Sequence, residues 1–176
     1  MFTRAAGAPA GKKRALRGRR FVLVDIENVA GGAIVTEAIA RRARDVVVAS
    51  LAVAECEQIV VGTSHVGVFN VWAVWPGARL RVRSGEHGAD LALLDVMQFE
   101  RIEQRFDEIV LVSGDGIFAD EVARLAAAGA PVTVASWAET LSAQLRLAAV
   151  HTIYLDCTVP AAAQGVSMNL SRPGEG

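Results

Sequence analysis

Asp25, Asp90 and Asp115 lie far apart along a chain of 176 residues, yet each stands where an apolar run ends or a helical stretch begins. Val24-Asp25-Ile-Glu27-Asn28 follows Phe21 to Val24, Gly88-Ala-Asp90 opens a leucine-rich stretch, and Leu111-Val-Ser113-Gly114-Asp115 closes a run of Ile and Val. Ligands of an open parallel sheet bind outside the carboxyl ends of its strands, so the three carboxylates are expected at one edge. Two carboxylates about 4 Å apart repel by roughly 4 kcal/mol at an effective dielectric near 20. Such a cluster therefore needs a cation or a shared proton. Mg²⁺ or Mn²⁺ takes oxygen ligands from a few carboxylates, keeps waters and leaves positions open for phosphate oxygens. The chemistry this permits is in-line attack of a metal-activated water on a phosphodiester.

Taken singly, each aspartate has a plainer reading as a helix cap or turn residue; their conjunction favours a site. Asp95 and Asp120 each fall five residues beyond a candidate ligand, about 140° around a helix, and are read as peripheral acids. His87, just before Gly88 and beside Asp90, is a candidate for phosphate contact or proton transfer. His65 follows Thr63-Ser64 and is read as a helix-start or core histidine. Trp72 and Trp75, in the apolar stretch around Val68 to Val74, are read as core rather than as base-stacking groups. Gly114-Asp-Gly116-Ile-Phe-Ala119 fits the GxGxxA dinucleotide fingerprint. It would, however, place Asp115 against a pyrophosphate, and the next strand ends Ala135-Ser136-Trp137 without a ribose-binding acid.

The elements that must position these residues alternate along the chain. Apolar, β-branched runs predict strands at Phe21 to Asp25, Gln58 to Gly62, Asp107 to Ser113, Pro131 to Ala135 and Thr152 to Leu155. Arg79-Leu-Arg81-Val-Arg83 alternates with period two and predicts a half-exposed strand. Three-and-four spacing predicts helices from Ile34 to about Ala54, Ala89 to Phe106, Ile117 to Ala128 and Glu139 to Ala149, with a further segment from His65 to Trp75. Strands alternating with helices imply a parallel sheet covered on both faces.

Composition bounds the class. With 52% hydrophobic and 21% charged residues and a formal net charge of −1, the chain reads as one soluble domain with tails. Cys56 and Cys157 have no CxxC or Cys/His spacing, which argues against a disulfide framework and a zinc module and favours a cytoplasmic setting. No run of 18 apolar residues exists, so no membrane partner is expected. Residues 1 to 20 carry seven basic groups and no acid, leaving 11 basic and 19 acidic groups in an acidic body. The expected organisation is a basic flexible arm over 1–20, a domain over 21–156 and a disordered tail over 157–176. The arm and Arg79, Arg81 and Arg83 are the candidates for phosphate-backbone contact; a solvated strand face is the plainer reading of the arginines.

The three aspartate motifs, in this order on alternating strands and helices, resemble the NYN domain, a branch of the PIN-like ribonuclease fold. The resemblance runs from about Phe21 to Leu155. It implies a three-layer α/β/α sandwich with a mostly parallel central sheet, and a metal-dependent ribonuclease acting on RNA with Mg²⁺ or Mn²⁺. It implies metal ligation by Asp25, Asp90 and Asp115, with Asn28 orienting the Asp25 carboxylate or a water. Ser113 and Gly114 would shape the turn and admit a close backbone approach. Two positions depart from the family pattern. Ile117 stands where family members often have a second acid, and His87 where a Lys commonly precedes Gly-x-Asp. One further reading stays open, a catalytically weak RNA-binding adaptor on the same fold; a phosphohydrolase of the haloacid dehalogenase type, suggested by Asp25-Ile-Glu27, is opposed by Glu27 in the second acidic position and by the lack of a convincing downstream Lys. A homodimer is also compatible with the sequence.

Overall fold

Val, Ile and Leu dominate the strand segments because both faces of a helix-covered parallel sheet are buried. In a computed structural model, which describes residues 18–53 and 57–157, these segments become β1 (Arg20–Asp25), β2 (Gln58–Thr63), β3 (Arg79–Val82), β4 (Glu108–Val112), β5 (Val132–Ser136) and β6 (His151–Tyr154). They form one six-stranded sheet in the order β3-β2-β1-β4-β5-β6. Every neighbouring pair is parallel.

Side chains alternate between the faces of a strand. Phe21 and Leu23 join Leu93, Met97, Phe118 and Leu125 in one core, beneath α4 (Gly88–Phe99), α5 (Ala119–Ala127) and α6 (Ala143–Ala148). Val22 and Val24 join Ile34, Val47, Val71 and Trp75 in the other, beneath α1 (Ile26–Ala30), α2 (Glu37–Leu51) and α3 (Val68–Val74). The result is the three-layer sandwich expected. Asp25 shares the parity of Phe21 and Leu23, and Ser113 that of Ile109 and Leu111, so both leave the sheet on the α4 side. Strand order reverses between β1 and β4, which makes their carboxyl ends the switch-point crevice.

Several element boundaries differ from expectation. The helix expected from Ile34 begins at Glu37, where Thr36 Oγ1 accepts the Ile39 N–H; Ala54, its expected end, lies outside the described residues. Between β1 and α2 the chain forms α1, a helix not expected from the sequence, closed by Gly31 at φ 75°. The helix expected to reach Phe106 stops at Phe99; Arg101, at φ 49°, breaks it before a 3-10 turn at Ile102–Gln104. That break lets Phe106 return to pack 4.5 Å from Phe21. The helix expected over Glu139 to Ala149 is confined to α6, because Ser142 caps it by accepting the Leu145 N–H.

Arg20, placed in the arm by sequence, belongs to β1 and donates to Glu57 at 2.8 Å. The rest of the arm up to residue 17 and the tail from 158 lie outside the described residues. Among the described residues, no helix is long and apolar enough to cross a membrane.

Candidate active site

Asp25 ends β1 and caps α1, so its carboxylate is fixed by the chain reversal that follows it. Its Oδ1 accepts the Asn28 N–H at 3.1 Å and its Oδ2 accepts the Ser113 hydroxyl at 3.0 Å. Asn28 Oδ1 accepts the Gly114 N–H at 3.0 Å, tying the ends of β1 and β4 together across the crevice. The Ser113 hydroxyl accepts the Asp115 N–H at 3.2 Å, and Asp115 Oδ1 accepts the Ile117 N–H at 3.0 Å. Gly114 is dictated by packing, since a Cβ there would stand 2.5 Å from the Thr140 carbonyl oxygen.

Asp90 arrives from the first turn of α4, which packs so closely on β2 that a Cβ at Gly62 would meet Leu93 Cγ at 2.7 Å and the Ala89 carbonyl oxygen at 2.9 Å. His87 precedes the helix at φ 55°, a left-handed conformation that costs a non-glycine residue about 1 kcal/mol or more. It sets Nδ1 3.1 Å from Asp90 Oδ2 and 3.9 Å from Asp115 Oδ2.

A cleft of about 190 Å³ is lined by Asp25, Glu27, Asn28, His87, Asp90 and Asp115. Asp90 is 8% exposed and Asp25 3%. Ligand atoms of His87, Asp90 and Asp115 all lie within 4.8 Å of one another. At an effective dielectric of 20, two carboxylates at that separation repel by about 3 kcal/mol. The Asp25 carboxyl is pushed up to about 8, first by burial and then by the charge of Asp90. A proton therefore holds this site together when no cation is present. The carboxylate oxygens fit a hard divalent ion, which would take over the role of that proton and leave His87 beside it.

Glu27, which the sequence places just beyond the end of β1 but which is not among the expected site residues, also lines the cleft. Its Oε1 accepts the Ser64 N–H at 2.8 Å, which pins the β2–α3 loop to the rim. Other residues fall away from the cleft. Asp95 is exposed and 3.6 Å from Arg83, and Asp120 is exposed on α5, both as expected. His65 is neither core nor within a helix: it is exposed in a loop, with Nδ1 2.7 Å from Ser84 Oγ. Trp75 is buried, but Trp72 is 65% exposed, because α3 is only seven residues long and buries Val71 and Val74 instead. Arg79 and Arg81 both bind Glu100, the former at 2.7 Å. Burial alone would raise the Glu100 carboxyl; the two guanidinium groups outweigh it and hold the group below its ordinary value. Ile117 packs against the α5-side core and leaves no carboxylate in its place.

The family model of the NYN domain matches residues 20–156, which includes every strand and every cleft residue above. The chain belongs to the NYN domain family. This NYN domain is also similar to a solved structure of a protein of unknown function from Vibrio parahaemolyticus, at 21% identity and a TM-score of 0.52, covering 79% of this chain and 93% of that one. That likeness shows the fold. No curated protein matches the sequence. The NYN architecture is nuclease-like, and its acidic group stands at the sheet edge where such a fold places chemistry.

Proposed function

We propose that this NYN domain hydrolyses RNA phosphodiester bonds endonucleolytically with Mg²⁺ or Mn²⁺ held by Asp25, Asp90 and Asp115. The observation that carries the reading is the convergence of three carboxylates, from β1, α4 and the turn after β4, on one cleft whose innermost acid needs a proton or a cation. When bound, a divalent ion supplies positive charge against the phosphoryl oxygens and acidity for the attacking water.

The chain's own residues do the rest. Ser113 and the Asn28 N–H hold both oxygens of Asp25, so its carboxylate cannot swing out of the crevice. Asn28 Oδ1 fixes the Gly114 amide and with it the position of Asp115. His87, half exposed beside Asp90 and Asp115, can pass a proton to the departing oxygen. Of the three arginines proposed for the RNA backbone, Arg83 is the best placed, since it immediately follows β3 on the cleft edge. Arg79 lies about 13 Å back along the strand and is engaged by Glu100, as is Arg81. A second reading, an RNA-binding adaptor of weak activity, is favoured by one observation: Ile117 serves the core, so the turn after β4 brings one acid, Asp115, to the cleft.

The test is cleavage of end-labelled single-stranded and hairpin RNA with Mn²⁺, Mg²⁺ or EDTA. Metal-dependent cutting is expected, falling by about 10² or more in Asp25→Asn and Asp115→Asn, the scale of losing one charge-stabilising group. A folded wild type that binds Mn²⁺ yet cuts neither RNA refutes the enzyme and leaves the adaptor.

A further inference from the structure

Behind the acidic cleft, on the α1–α3 side of the same sheet edge, lies a second cavity of about 360 Å³. Its walls are Val29, Ile39, Val46 and the Trp137 indole, whose Nε1–H donates to the Val29 carbonyl oxygen at 2.9 Å and so fixes the ring. Arg42 and Thr140 stand at its polar side. The volume lies in the range of small-ligand pockets, and an apolar slot with a few polar groups is what such pockets present. Asn28 lines both cavities, which makes it the partition between them.

The charges point the same way. On α2, Arg41 pairs with Glu37 and Arg44 with Asp45, whereas Arg42 has no ion pair or hydrogen bond among the described residues. A guanidinium with no partner among the described residues, beside an aromatic-walled apolar slot, complements a flat heterocycle carrying an anionic linker. The cleft itself is acidic and repels phosphate, so a strand held there gains most from a cation just across the partition.

We propose that this cavity seats one nucleotide of the substrate strand, next to the bond placed in the cleft, with its base in the slot against Trp137 and its phosphate on Arg42. This rests on the ribonuclease reading and adds the site that selects and registers the strand. Base contacts of this kind are sequence-tolerant when stacking dominates, so the pocket registers single-stranded RNA, whose bases are free to leave the stack.

Cys157 lines the same cavity and is exposed, which makes it a reporter. In a full-length Cys56→Ser, Asp115→Asn protein, the rate of Cys157 alkylation is measured alone, with a short single-stranded RNA, with an abasic strand of equal length, and with free AMP or UMP. The RNA is expected to slow alkylation and the abasic strand to leave it unchanged, with protection abolished in Arg42→Ala. In the cleaving protein, Arg42→Ala and Thr140→Trp, which fills the mouth from an exposed position, are expected to raise KM about tenfold with kcat nearly constant, the size of one charge-assisted hydrogen bond. Equal protection by the abasic strand, or an unchanged KM in both variants of a protein that still cuts RNA, overturns the nucleotide pocket and leaves the nuclease standing. Full protection by AMP or UMP alone overturns the assignment to the substrate strand. Base-dependent protection in a chain whose Asp115 parent cuts no RNA supports the pocket and refutes the nuclease.

Discussion

Replacing Asp25 by Asn tests the electrostatics of the cleft without using activity. In the metal-free folded protein the Asp25 carboxyl is pushed from an ordinary 3.8 up to about 8, chiefly by burial and next by Asp90. The folded chain therefore keeps a proton that the unfolded chain releases. The stability tied to this proton is fully present below about pH 3.8 and is lost as pH rises toward 8. At 1.36 kcal/mol per pH unit, the loss between pH 5 and pH 8 is about 4 kcal/mol. Asn is neutral throughout and keeps an oxygen for the Asn28 N–H, while Ser113 can turn its hydroxyl to accept. The unfolding free energy of Asp25→Asn minus that of wild type should thus rise by about 4 kcal/mol from pH 5 to pH 8, whatever fixed offset the substitution carries. Urea unfolding in EDTA, followed by tryptophan fluorescence at four pH values, measures it, and titrating groups remote from Asp25 cancel in the difference. Asp90→Asn should reduce the slope without abolishing it, since burial remains. Mn²⁺ should stabilise wild type most at pH 8, where it replaces the missing proton. A wild type and Asp25→Asn pair whose separation stays constant within about 1 kcal/mol over that range would refute the buried, proton-held site.

Two further outcomes follow from the packing and the charges. Gly62→Ala drives a Cβ to 2.7 Å from Leu93 Cγ and so moves α4; it should cost about 1–3 kcal/mol of stability. Because Asp90 rides on α4, it should also shrink the stabilisation by Mn²⁺, and an unfolding midpoint and Mn²⁺ response both equal to wild type would contradict the close packing. Arg83→Ala should flatten the salt dependence of single-stranded RNA binding by about 0.7 in log–log slope, the share of one neutralised phosphate, with Arg79→Ala as the unchanged comparator. Fluorescence anisotropy across a salt series reads both, and identical slopes for Arg83→Ala and wild type would remove Arg83 from the interface.

The strands and the three aspartate positions were legible from sequence because they rest on local signals. A helix-covered parallel strand is a short apolar run, and the residue that ends it stands at the edge where ligands bind. The period-two alternation of Phe21, Leu23 and Asp25 even settles which face the first carboxylate shares with the core. Helix ends were less legible. Thr36, Arg101 and Ser142 stop or start helices through single capping or left-handed residues, and the apolar spacing on which the expectation rested runs past all three.

What the sequence determined alone is therefore the layered fold, its family pattern and the acids brought to one edge, since these follow from periodicity and chain order. Tertiary structure decided the rest, because it depends on groups distant in the chain. The bridge from Asn28 to Gly114, the pinning of Ser64 by Glu27, the capture of Arg79 and Arg81 by Glu100 and the cavity behind Asn28 all join segments whose spacing carries no signal. Burial likewise turns Asp25 from an ordinary turn aspartate into a group that must hold a proton or a cation, and that burial exists only once Ser113 after β4 and Asp90 of α4 are brought against it.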